Sequence, residues 1–305
     1  MIFRYEYPGG VWIDLEQPTS DEIRRIGREF SISERLETEL LSPTPTPLAA
    51  GDENAALLVL HFPAHAEDGA TAKSQEIDFL VGGHFVITVR YEVIVALHHL
   101  KKLLETEQII SEHNGIATDV LLEILFAHLY ASVRDTTDHL AHNLERIEKR
   151  MFDGRERDTV REISGISREF LHLEAALANQ EESLGRFLKV LAARNFFGPS
   201  FLTRADRMET ERSQVARFIK THRAIATEMR ETNTALLEAR QNEIMKTLTV
   251  MTFSVLPLEL ITLVFGMHMP GTPLEQNPDA FLIILAIMFS IAVLMVLFFA
   301  RKRWL

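Results

Sequence analysis

NEIMKTLTVMTFSVLPLELITLVFGMH, Asn242 to His268, is the stretch on which the fold turns. From Leu248 to Phe265 it is apolar apart from three threonines, one serine and Glu259, which fits a short membrane span. Upstream, nothing stops a helix. Between Pro199 and Gly266 there is no glycine, and the one proline is Pro257, so a single helix is expected from Ser200 to Phe265, kinked at most near its end. At about 1.5 Å per residue such a helix reaches roughly 100 Å. It begins in water and ends in lipid.

One face of that helix is polar where lipid would forbid it. Asn242, Met245, Thr249, Thr252, Leu256, Glu259 and Leu263 follow alternating steps of three and four, the spacing that keeps a stripe facing a bundle axis. An ordinary helix-packing seam has the same spacing. Unpaired polar groups in hydrocarbon are expensive, however, and usually face a bundle interior or a wet path, so the stripe reads as a pore lining. Met245, Leu256 and Leu263 would then be hydrophobic collars able to gate by dewetting.

The same run resembles the first transmembrane helix of the CorA metal-ion transporters: a polar Asn, then MK-LT, a mid-span Pro and a terminal Gly-Met-Asn. Asn242, Met245, Lys246, Leu248, Thr249, Pro257, Gly266 and Met267 fall in register without a gap. VWIDLEQPTSDE (Val11 to Glu22), EIDFLVGGHFVITVRYE (Glu76 to Glu92) and the closing RKRWL (Arg301 to Leu305) are similar to further family landmarks, so the resemblance covers nearly the whole chain. It implies a funnel-shaped homopentamer of an α/β cytosolic domain, a long helical stalk and two transmembrane helices. It also implies a divalent-cation channel or transporter of the inner (plasma) membrane, carrying magnesium, with cobalt and nickel as further ions. Gly266, Met267 and His268 would form the selectivity motif.

Three departures bear on the ion. His268 replaces the family's terminal Asn, and Glu259 stands where magnesium members usually carry a threonine. Ungapped matching puts Thr38 and Arg207 where those members pair aspartates in a cytosolic divalent-sensing site, with Glu37 and Glu39 as the best substitutes nearby. The loop MPGTPLEQNPDAF and the Trp-Leu terminus resemble the zinc-moving ZntB branch, so a zinc transporter, proton-coupled through Glu259, stays open as the alternative. Candidate metal contacts are His268, Glu259 and Asn242; neutral imidazole suits zinc, nickel or copper better than magnesium, which prefers oxygen.

Composition agrees with a cation-gathering membrane protein. The formal charge of −11 lies before Leu248, because Glu259, Glu275 and Asp279 cancel Arg301, Lys302 and Arg303. An acidic soluble part argues against nucleic acid as a partner. With no cysteine, any zinc would need His or carboxylate ligands. His139/His142, His98/His99 and His61/His65 have metal-like spacings that solvated or packed histidines also show. No nucleophile elbow, phosphate loop or H-E-x-x-H occurs, so neither an enzyme nor a tightly bound cofactor is indicated. The reading from another class is a membrane-anchored helical sensor or scaffold that does not conduct.

In chain order, residues 1–110 read as a cytosolic α/β domain. IFRYEY, VWIDL, ALLVLHF, EIDFLV and HFVITVR are expected as strands, Gly82-Gly83 as a hairpin turn, and Ser20-Asp21-Glu22 as a helix start. SPTPTPLAAGDEN (Ser42 to Asn54) reads as an extended connector. Residues 111–199 are expected as a helical hairpin broken near Gly154, with Leu122, Leu125, Leu129, Val133, Leu140, Leu144 and Ile147 inward. The long helix (200–265, membrane part about 248–265) is followed by an external loop (266–280), a second span (281–299) and a basic cytoplasmic tail (300–305). The N-terminus shows no cleavable signal peptide pattern, and the basic residues after the second span place both termini in the cytoplasm.

Overall fold

The computed structural model describes residues 2–63, 74–105, 117–194, 196–267 and 279–302. Contacts divide the chain into two units, Met1–Arg230 and Glu231–Leu305.

The first unit is built on a six-stranded sheet. Its strands are β1 (Ile2–Tyr7), β2 (Gly10–Glu16), β3 (Leu48–Gly51), β4 (Ala56–Pro63), β5 (Ser74–Gly82) and β6 (Phe85–Arg90), in the order β1-β2-β6-β5-β4-β3. Only β2 and β6 pair in parallel, Ile13 opposite Ile87. The chain therefore has to cross over between them, and it does so through α1 (Ser20–Glu29) and α2 (Glu34–Glu39). Thr19 caps α1: its hydroxyl accepts from the Glu22 amide while the Glu22 carboxylate accepts from the Thr19 amide, a reciprocal pair that fixes the helix start. Ile23 and Ile26 then bury against Leu15, Leu80 and Ile87 on one face of the sheet, with Leu36 and Leu40 of α2 beside them.

The other face meets α3 (Val95–Glu105), α4 (Thr118–Phe152) and α5 (Glu156–Ala193). Phe79 stacks on Phe126 at 4.9 Å and Phe62 meets Tyr130 at 5.8 Å. α4 and α5 run antiparallel, Tyr130 donating to Gln180 and Arg150 pairing with Glu162. The turn between them needs Gly154, whose φ of 84° is left-handed. Leu140 of the expected inward set is only half-buried, and Thr137 takes the buried place with its hydroxyl donated to the Val133 carbonyl. Two further corrections concern short segments. The β5–β6 turn is Gly83-His84, because Gly82 pairs with Phe85 inside the ladder; a side chain at Gly82 would collide with the Phe85 ring. The Pro-rich connector also contains a strand, β3, which pairs with β4 at the sheet edge, where prolines upstream do no harm.

Each sheet face holds buried charge. Asp14 and Arg90, both fully buried, pair on the α3 side, and Thr88 and Lys101 also bind Asp14. On the α2 side, Glu76 accepts from the Thr44 amide and hydroxyl and faces His61 across the β4–β5 ladder. Asp78, two residues along on the same face, is fully buried and has no donor on either oxygen among the described residues. Burial, and then the Glu76 charge, push its carboxyl well above the usual range. Hydrogen bonding to Glu76 raises His61. Burial works to raise Glu76 as well, but the donors from His61 and Thr44 hold it below its usual value.

The linkage follows. The folded chain releases the Asp78 proton at higher pH than the unfolded chain does, so this group withdraws stability as pH rises from its unfolded towards its folded pKa; His61 likewise loses its contribution as pH rises past its own folded value. Asp78→Asn is expected to raise the melting temperature of the full chain by a few degrees at neutral pH and to flatten its decline towards alkaline pH. Calorimetry in detergent checks this. A variant melting below the parent throughout would show that Asp78 is held charged.

Candidate ion pathway

Helix α6 (Phe201–Gly266) and helix α7 (Ala280–Arg301) carry the candidate pathway. In the first unit, α6 is fixed by charge as well as by packing. Arg204 binds Asp119 at 2.9 Å and Glu123 at 2.8 Å, and Arg212 donates to the Leu177 carbonyl. His222 stacks on Phe170, and Met208, Val215, Ile219 and Ala226 are buried at steps of seven, four and seven.

In the second unit α6 passes through Pro257 without ending. Proline takes a donor from the helix, and such losses are tolerated in membrane helices. In the most apolar 18-residue windows of α6 and α7 no residue is fully buried by the chain itself. Leu256 is 54% exposed and Leu263 65%, and so are residues round the rest of the helix, such as Met251 at 67%. An all-round apolar surface of this length is stable only in lipid or against other copies. Both helices are long and apolar enough to cross a membrane.

Along the expected stripe, Asn242, Met245, Thr252, Leu256, Glu259 and Leu263 are exposed and Thr249 is half-buried. Thr249, with Phe253, lines a groove against α7, so it lies on the flank of the stripe nearest that helix. The hydroxyls of Thr249 and Thr252 donate to the carbonyls of Met245 and Leu248. Their protons are thus used within the helix and their lone pairs are left outward, able to accept from the water of a hydrated cation. Gly266 closes α6 and the Met267 amide still donates to the Leu263 carbonyl, but His268 lies outside the described residues.

The residues matched to the family's sensing pair both lie in the first unit. Thr38 donates to the Glu34 carbonyl, and Arg207 donates to Glu123 at 3.2 Å. Glu37 and Glu39 are half-buried, Glu37 because its carboxylate packs over Gly27, where a side chain would meet it at 2.5 Å. No group of three or more metal-ligating side chains occurs among the described residues. His98, His99, His139 and His142 are exposed, His61 is taken by Glu76, and His65 lies outside the described residues.

A family profile described as CorA-like Mg2+ transporter protein matches residues 8–303. The chain belongs to this family. The cobalt/magnesium transport protein CorA of Methanocaldococcus jannaschii is 25% identical over 302 residues, 97% of this chain and 91% of that one. The complete structure of the CorA magnesium transporter from the same organism matches with a TM-score of 0.80 at 23% identity, over 99% of this chain and 94% of that chain. The ZntB cytoplasmic domain from Vibrio parahaemolyticus matches with a TM-score of 0.57 at 14% identity, over 76% and 89%. The expected α/β domain, long helix and two apolar spans are those of the CorA fold.

Family membership sharpens the meaning of Arg207. Arg207 is a cation with its carboxylate partner, Glu123, already in place, so we expect no divalent ion to be bridged there. Limited proteolysis is expected to give the same pattern with and without millimolar magnesium. Protection by magnesium that disappears in Thr38→Ala or Arg207→Ala would contradict this.

Proposed function

We propose that the chain is a divalent-cation channel or transporter of the cell membrane, working as a homopentamer, with magnesium as its principal ion. The observation that carries this is Glu259, an exposed carboxylate within an apolar span, on one helical stripe with Asn242, Thr249 and Thr252. A carboxylate cannot remain facing hydrocarbon, and turning the stripe inward among identical copies gives it water and cations. The cobalt and magnesium in the relative's name support the choice of ion.

In this reading the acidic soluble part gathers cations, the hydroxyl oxygens of Thr249 and Thr252 hold the hydration shell, and Met245, Leu256 and Leu263 close the path by dewetting. Magnesium dehydrates reluctantly, so a wall of neutral oxygens suits it. Glu259 adds a ring of carboxylates that attracts divalent cations and puts an acid in the path, so transport is expected to respond to pH. Gly266, Met267 and His268 form the outer mouth, with His268, Glu259 and Asn242 as ion contacts. Arg301 and Lys302 at the end of α7 put both termini on the cytoplasmic side.

Zinc, possible for an imidazole mouth followed by an acid, is the second reading, and the chain's departure from Gly-Met-Asn at His268 favours it. Flux into liposomes tests both. Magnesium uptake is expected, Glu259→Gln should reduce it severalfold or uncouple it from pH, and His268→Asn should move selectivity towards magnesium. Variants that carry magnesium and zinc like the parent across the neutral range would remove both residues from the path. A monomer or dimer mass in detergent would contradict the pentamer.

A further inference from the structure

Helix α7 carries no charge from Phe281 to Phe299, yet its side against α6 is not uniform. An open groove of 610 Å³ runs between Thr249 and Phe253 of α6 and Ile291, Leu294, Met295 and Phe298 of α7. Phe299 also lines it and is the one buried residue among those described in α7, at 5% exposure. The lining offers no free donor, because the single hydroxyl there, on Thr249, is donated to the Met245 carbonyl. Thr249 stands at its edge nearest the polar stripe; beyond it the walls, Phe253, Ile291, Leu294, Met295 and Phe298, make a trough for hydrocarbon.

One end of the trough is cationic. Arg301 and Lys302 follow Phe298 by three and four residues, which places them on the same helix face, and both are exposed. From Ile291 to Lys302 the helix rises roughly 16 Å at about 1.5 Å per residue, close to half of a hydrocarbon core of about 30 Å. Trough and cations together therefore have the length of a single leaflet, apolar towards the midplane and positive at the surface. By the positive-inside rule that surface is the cytoplasmic one, where anionic lipids set a negative potential.

We propose that this face is a binding site for an anionic phospholipid, an acyl chain lying along the trough and the phosphate held by Arg301 and Lys302. Two cations without a carboxylate beside them on α7 favour a headgroup of net negative charge over a zwitterionic one, whose own cation they repel. A second copy of α7 would fit the trough less well, since it would bring its own Arg301 and Lys302 to the same positive end. The site concerns how the span is held in its leaflet and is independent of which ion the chain carries.

Native mass spectrometry of the full chain in mild detergent, supplied with phosphatidylglycerol or phosphatidylcholine, tests this. The parent is expected to retain phosphatidylglycerol about tenfold better. Leu294→Trp, which fills the trough, and the double substitution Arg301→Gln with Lys302→Gln, which removes the charge, should each erase most of that preference with the oligomer mass unchanged. Equal retention of the two lipids, or a preference that survives both variants, would overturn the site. So would loss of the oligomer in Leu294→Trp with lipid preference intact, since the trough would then be filled by another copy.

Discussion

A carboxylate in the middle of an apolar helix is the constraint on which this molecule depends. Glu259 lies between Leu258 and Leu260, exposed in a span of which the chain itself fully buries no residue. Left in lipid it would be neutralised or would pull water in with it, and either way the single chain would be a poor membrane protein. In the proposed assembly around the polar stripe the conflict is removed: Glu259 would gain water and counter-cations, the threonine lone pairs would gain hydration shells, and the apolar flanks of α6 would be left for lipid and for α7. Transport and oligomerisation are in this account two consequences of one unfavourable placement.

The soluble unit meets a related problem differently. Asp14 is buried with three donors, Thr88, Arg90 and Lys101, so its charge is matched where it lies. Asp78 has none among the described residues, and its burial favours the protonated form. Between these extremes, Glu76 keeps its charge by binding the backbone and hydroxyl of Thr44, which pins the connector leaving α2 to the sheet. Acids buried in one sheet thus differ in how their charge is met, Glu76 and Asp78 even on the same face, and the difference arises from neighbours rather than from depth.

Much of this was legible in the sequence, and the failures have physical reasons. Long apolar strands such as ALLVLHF announce themselves because both faces are covered, and α6 is announced by the want of any glycine. Helix α2 was missed because six residues with a single buried side chain, Leu36, carry no periodicity. Strand β3 escaped because its pairing comes from β4 and not from its own composition. The buried aspartates were visible as polar interruptions in VWIDL and EIDFLV, but which of them finds a cation depends on Arg90 and Lys101, distant in sequence. The groove on α7 could not be read at all, since a helix apolar on every side gives no sign of which face another helix leaves open.

The stripe itself is best tested by position rather than by removal of charge. The chain has no cysteine, so single cysteines can be placed at Thr252, Leu256 or Leu263 and, as controls, at Leu258 or Ile261, which helical spacing puts on the other side. The measurement is cation flux in liposomes before and after a small, charged, thiol-reactive reagent. If copies surround a pore along the stripe, the reagent blocks flux at Thr252, Leu256 and Leu263 and leaves Leu258 and Ile261 untouched. Block at Leu258 and Ile261 with the stripe positions unaffected would contradict the account.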